Sequence, residues 1–260
     1  MPRFAANVST LYPELALIDR IGAAARDGFA AVEVQGPYAV QAQDFRRALD
    51  DARVQLVLMN APQGHSDAGE RGLAALPGRE QDFESAMEQA TDYARILGAP
   101  RLHVMAGKPG AAPAEDCLET YLRNLAYACD LVHPHGITVT IEPINQRDVP
   151  GYYLSRQQQA ADVIAALKKP NLGLQMDFYH LQIMEGDLVR HLERYFPLVS
   201  HVQIAGVPER SEPDTGEVHY PLIFALLDRL RYAGWVGSEY RPARAGAGGT
   251  SAGLGWLRKI

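Results

Sequence analysis

A chain of 260 residues can form one large α/β domain or two small ones, and its 47% hydrophobic and 22% charged residues are those of an ordinary globular protein. Its 31 acidic residues outnumber 25 Lys and Arg, giving a net charge of −6 with no basic run, which argues against a binder that grips nucleic acid by neutralising phosphates. The N-terminal MPRFAANVST lacks the apolar core of a secretory signal, and no stretch approaches the ~18 apolar residues of a membrane span, so no membrane association and a cytoplasmic location are expected.

From the N-terminus, short apolar runs alternate with longer amphipathic ones. RFAAN (3–7) reads as a strand and is followed by a helical pattern near 14–27. AAVEV (30–34) and VQLVLMN (54–60) are strands on either side of a helix near 41–52. A long insertion at 61–80 precedes a helix at 80–97, the strand RLHVMAG (101–107) and a helix at 114–133. That last helix carries Cys117 and Cys129, which form no CxxC motif, give no disulfide framework and fit a reducing compartment. The remaining strands are TVTIEPI (138–144), LGLQMD (172–177), VSHVQIA (199–205) and WVGSEY (235–240), with helices near 156–168, 187–196 and 220–232. Gly28, Gly98, Gly136 and Gly234 stand where helices should stop.

This alternation implies right-handed βαβ units and a parallel sheet. Eight strands suggest closure into one (β/α)8 TIM barrel of the α/β class, a single domain over 1–260. The rival is a doubly wound open sheet, whose nucleotide-binding form is opposed by the lack of GxGxxG after the first strand. RAGAGGTSAG (244–253) reads as loop, so a closing helix should be short.

The phase of the last four strands singles out a site. Side chains alternate faces along a strand, so Val139 and Ile141 oppose Thr138, Thr140 and Glu142. Likewise Leu174 and Met176 oppose Gly173, Gln175 and Asp177; Val202 and Ile204 oppose His201 and Gln203; and Val236 and Ser238 oppose Gly237 and Glu239. The apolar set must face the helices, which turns Glu142, Asp177, Gln203 and Glu239 inward at the C-terminal rim where barrels build active sites. One inward carboxylate is commonly a solvated rim charge or an ion-pair partner. Four oxygen-bearing side chains in phase on consecutive strands point instead to a hard divalent cation, Mg²⁺ or Mn²⁺, because crowded carboxylates need compensating charge.

Beyond pattern, IEPIN (141–145), MDFYH (176–180), HVQIAGVPERSEPDTGEVHY (201–220) and the GSEY and RP of 237–242 resemble the hydroxypyruvate isomerase family, as do AGERGLAALPGRE (68–80) and RFAANVST (3–10). That family sits among xylose-isomerase-like barrels beside ketose 3-epimerases and bacterial 2-oxotetronate isomerases. The resemblance covers essentially the whole chain. It implies a TIM barrel, metal ligands at Glu142, Asp177, Gln203 and Glu239, and an acid/base pair, Glu142 and Glu239, moving a proton between adjacent carbons through an enediol.

It further implies substrate contacts from His180, Arg210 and Asp148, with Arg210 holding a substrate carboxylate. Lys108, Arg71 and Arg79 are additional anion-site candidates, and Glu33 shares the end-of-strand placement without a partner legible in sequence. The expected partner is a small hydroxy or oxo acid, with hydroxypyruvate to tartronate semialdehyde ahead of 2-oxotetronate to 3-oxotetronate. IAGVPER is similar to the 2-oxotetronate enzymes and EPIN to the hydroxypyruvate ones. A ketose 3-epimerase and a non-catalytic ligand-binding barrel are the alternatives, and the oligomeric state, a homo-oligomer included, stays open.

Overall fold

The structure is a computed structural model that describes residues 1–258. Eight parallel strands close on themselves in chain order: β1 (Arg3–Asn7), β2 (Ala31–Val34), β3 (Gln55–Asn60), β4 (Arg101–His103), β5 (Thr138–Ile141), β6 (Leu172–Asp177), β7 (Val199–Ile204) and β8 (Trp235–Ser238). Closure is made by β1, which pairs with β2 on one side and β8 on the other. The TIM barrel expected from the alternation is present.

The helices that cover this sheet are α1 (Leu17–Arg26), α2 (Ala42–Ala52), α3 (Glu80–Leu97), α4 (Ala114–Val132), α5 (Gln157–Leu167), α6 (Phe178–Met184), α7 (Leu188–Tyr195), α8 (Tyr220–Arg229) and α9 (Gly249–Gly253). Helix α4 shows why they dock: Cys117, Thr120, Tyr121, Asn124, Leu125, Ala128, Cys129 and Val132 are all buried, at the three- and four-residue spacing of one helical stripe. The opposing sheet face is the apolar set of the phase argument, with Val139, Ile141, Leu174, Met176, Val202, Ile204 and Val236 in the main core. Among the described residues, no helix is long and apolar enough to cross a membrane.

Several strands are shorter than their apolar runs. β5 ends at Ile141 because Pro143 has no N–H for the ladder, so Glu142 stands just past the last paired residue. β8 ends at Ser238 and leaves Glu239 in the same position. Helix α6, in a segment the sequence pattern left without an element, starts because Asp177 Oδ1 accepts from the Tyr179 amide at 2.8 Å, an N-cap built from the strand's last residue. The closing element is short, as expected: α9 runs into a 3-10 turn at Leu254–Arg258 that buries Leu254 and Trp256. The Trp256 ring meets Phe4 edge-on at 5.2 Å and its Nε1 donates to the Tyr240 hydroxyl at 3.2 Å.

Inside the barrel the floor and the mouth differ. Ala5, Ala31 and Val57, with Trp235 against them, form a small apolar cluster separate from the main core. Above it Asn7, Glu33, Thr140, Gln175, His201 and Gln203 are buried and polar.

Leu174, fully buried between sheet and helices, should lose about 2–5 kcal/mol of stability as Leu174→Ala, whereas Leu222→Ala, on a side chain 52% exposed, should stay within about 0.5 kcal/mol. Urea denaturation of the two variants checks the contrast.

Candidate active site

Strand register brings the mouth residues together. Asp177 lies beside Gln203 and Gln203 beside Gly237, one residue row across β6, β7 and β8, with Glu239 two positions further along its strand. A cavity of about 790 Å³ opens above this row, and its walls include Glu142, Glu239, His103, His180, Asp148 and Arg210. Glu142, Asp177 and His180 each offer a ligand atom, all within 4.8 Å of one another.

The two glutamates are dressed very differently. Glu239 accepts from Gln35 Nε2 at 2.9 Å, Asn7 Nδ2 at 3.2 Å and Gln203 Nε2 at 2.6 Å, and its Oε1 is paired with the Arg210 guanidinium. Glu142 Oε1 is buried with no hydrogen-bond partner, and so is Asp177 Oδ2. Burial pushes the Glu142 carboxyl well above the usual carboxylate range, with the charges of Glu239 and Asp177 adding to it. Burial also raises Glu239, to about 8, and Asp177, to about 6, against the pull of Arg210. Unpartnered oxygens on carboxyl groups that resist ionising are what a hard divalent ion satisfies, so the donor set fits one.

His180 has a defined sense. Its Nδ1 accepts from the Asn145 amide at 3.3 Å, and burial, then Arg210, holds the ring neutral by lowering its pKa well below the ordinary value. A backbone N–H can only donate, so the ring's own proton sits on Nε2, which faces Asp177 Oδ2 at 3.6 Å and Glu142 Oε1 at 3.9 Å. That makes His180 a donor into the cavity. His103 stands across from it, its Nε2 3.6 Å from Glu142 Oε2 and its pKa depressed to about 3 by burial and by His201.

Gln203 gives its amide nitrogen to Glu239 and, at 2.7 Å, to Glu33, while its oxygen accepts from Gln175 at 2.6 Å. Gln175 in turn accepts from the Thr140 hydroxyl at 3.0 Å. Beneath this relay Glu33, without a legible partner in sequence, is fully buried and bound by His201 Nε2 at 2.6 Å, Gln203, and Asn7 at 3.0 Å. Asn7 and His103 ended β1 and β4 in the same inward phase, a signal that the last four strands alone did not exhaust.

Of the loop cations, Arg210 is held in a left-handed backbone (φ 54°) and stacks its guanidinium 4.8 Å over Tyr179. Besides Glu239 it faces Asp177 and Asp148, each at 3.7 Å. Asp148 is fixed by Asn145, which donates to it at 3.1 Å. Lys108 is exposed and does not line the cavity; Arg79 is bound to Glu70 and Asp82; Arg71 lines the cavity wall.

The chain matches the family described as xylose isomerase-like TIM barrel over residues 21–260. It is 51% identical over 259 residues to the 2-oxo-tetronate isomerase of Cupriavidus necator, covering 99% of this chain and 98% of that one. It is 38% identical to the hydroxypyruvate isomerase of Escherichia coli, covering 99% and 98%. A solved structure from Brucella melitensis, described as an AP endonuclease of family 2, superposes with a TM-score of 0.97 at 43% identity, covering 100% and 99%. A closed parallel barrel with carboxylates and histidines at its C-terminal mouth is the architecture of a barrel enzyme. The chain belongs to the xylose isomerase-like TIM barrel family, and it is an isomerase.

Gly237 leaves the space that Glu33 fills: a Cβ there would lie 2.3 Å from Glu33 Oε2 and 2.4 Å from Oε1, and three partners keep that carboxylate from yielding. Gly237→Ala should therefore destabilise by about 1–3 kcal/mol, read as a lowered thermal midpoint. An unchanged midpoint would show that the carboxylate moves freely.

Proposed function

We propose that this enzyme moves a carbonyl between C2 and C3 of a short 2-oxo hydroxy acid, with 2-oxotetronate to 3-oxotetronate as the reaction and hydroxypyruvate to tartronate semialdehyde as the second reading. The two acids differ only by a hydroxymethyl group on C3, and the C2/C3 exchange beside a carboxylate is common to both. The 51% identity to the Cupriavidus necator 2-oxo-tetronate isomerase, against 44% to the Xenopus laevis putative hydroxypyruvate isomerase, supports that order, reversing the order suggested by the motifs alone.

The observation that carries the proposal is the unequal pair of buried glutamates on one cavity, Glu142 with a free oxygen and Glu239 held by four donors. Glu142 Oε1 has the open lone pairs and takes the carbon-bound proton; Glu239, aimed by Gln35, Asn7, Gln203 and Arg210, flanks the substrate from the other side. Removing the C3 proton and protonating the C2 oxygen gives a 2,3-enediol. Returning a proton to C2 while the C3 oxygen gives up its own leaves the carbonyl at C3, with no outside oxidant. His180 Nε2–H donates to a substrate oxygen and Asp148 accepts from a hydroxyl. Glu142, Asp177, Gln203 and Glu239 would hold Mg²⁺ or Mn²⁺, which when bound polarises the substrate oxygens and stabilises negative charge on them.

A ketose 3-epimerase would use the same glutamates on an uncharged sugar; the arginines that line this cavity favour an anion. The net charge of −6 opposes a nucleic-acid substrate.

Purified enzyme should isomerise one or both acids. EDTA should abolish the turnover and added Mg²⁺ or Mn²⁺ should restore it. Glu142→Gln should lower kcat by about 10²–10⁴-fold with the circular dichroism spectrum unchanged. If neither acid turns over with metal supplied, the isomerase-on-acids reading fails.

A further inference from the structure

The cavity is lined by three arginines, Arg71, Arg210 and Arg241, and their surroundings separate them. Arg210 is hydrogen-bonded to Glu239 and faces Asp177 and Asp148, so its charge is shared among three carboxylates. Arg241 is exposed, and its side chain makes no hydrogen bond or ion pair among the described residues. Arg71 is half-buried, donates once from Nη1 to the Glu70 carbonyl at 2.8 Å, and has no carboxylate partner among the described residues. The neighbouring Glu70 does not neutralise it, because its carboxylate is taken by Arg79 at 2.7 Å and by the His65 amide at 2.6 Å.

Arg71 is also rigidly mounted. Immediately after it, Gly72 bridges to Ala106, Ala75 N donates to Ala106 O at 2.7 Å, and Asn124 Nδ2 holds the Ala74 carbonyl at 2.9 Å. Gly72 and Gly107 pass so closely that a Cβ on the first would lie 2.3 Å from Met105 O and one on the second 2.4 Å from Gly72 O. Leu73, Ala74 and Ala75 are buried beneath. The chain from 72 to 75 is thus fastened to the segment after β4, and Arg71 is the last residue before that fastening.

We infer that Arg71 seats the carboxylate of the substrate and selects short 2-oxo acids over uncharged sugars. The inference rests on the proposed acid isomerase and deepens it. A guanidinium with unspent donors meets a carboxylate bidentately. Seated there, the acid turns C2 and C3 toward Glu142 and Glu239, and Arg210 remains free to balance the mouth carboxylates.

The test uses Arg71→Gln and Arg71→Lys with Mg²⁺ present throughout. Kinetics are measured on both acids and on dihydroxyacetone, the counterpart of hydroxypyruvate with CH₂OH in place of the carboxylate. Calorimetry measures binding of glycerate, which has no carbonyl to isomerise. Arg71→Gln should raise KM for the acid by about 10–100-fold with a much smaller change in kcat, weaken glycerate equally, and erode the preference for acid over triose; Arg71→Lys should recover part of each. An acid KM and a glycerate affinity within about twofold of the parent in Arg71→Gln would overturn the assignment. Glycerate binding that is lost in Arg71→Gln, in an enzyme that turns over neither acid, would keep the carboxylate seat and reject the isomerisation. A parent enzyme that does not bind glycerate rejects the seat itself.

Discussion

Four buried carboxylates, Glu33, Glu142, Asp177 and Glu239, share the upper half of one barrel, and carboxylates crowded into so little solvent need compensating partners. The structure answers with a gradient of compensation. Glu33 receives His201, Gln203 and Asn7; Glu239 receives Arg210 and three amide donors; Asp177 gives one oxygen to the α6 N-terminus and leaves the other free. Glu142 has no hydrogen-bond partner at Oε1. Of the two glutamates that face the cavity, Glu142 is the less compensated.

Arg210 occupies a different place in this scheme from the one its motif suggests. Three carboxylates surround one guanidinium stacked on Tyr179, Glu239 hydrogen-bonded to it and Asp177 and Asp148 each at 3.7 Å, and its left-handed backbone keeps it over them. Its loop is tied to the one after β8, where Arg241 N donates to Arg210 O at 2.8 Å and Ala243 N to the Glu212 carboxylate at 3.2 Å. The positive charge that balances the mouth is therefore built into the scaffold. Arg71 and Arg241 are the arginines of the cavity wall that have no carboxylate partner among the described residues, and Arg71 is the half-buried one.

The barrel interior is layered to hold this arrangement still. An apolar floor of small side chains excludes water, and the Thr140–Gln175–Gln203 relay above it fixes the amide that touches both Glu33 and Glu239. Each relay member has its polar groups satisfied, so the network stiffens the mouth where a partly satisfied one would weaken it.

The sequence by itself determined the barrel, the apolar face of the last four strands and the inward placement of Glu142, Asp177, Gln203 and Glu239, because alternation along a strand is a local property of each short run. It also marked Lys108, Arg71 and Arg79 as anion-site candidates and Glu33 as an end-of-strand charge without a partner. Only the tertiary structure decided between them: closure leaves only β1 and β8 between β2 and β7, so Glu33 reaches His201 across the barrel, and the packing of 72–75 on the segment after β4 turns Arg71 to the cavity while Lys108 stays outside. The tautomer of His180 was equally invisible, since it depends on an amide 35 residues away in the chain. Phase is written in neighbours along the chain, whereas the partner that sets a buried group's charge and direction is a neighbour in space.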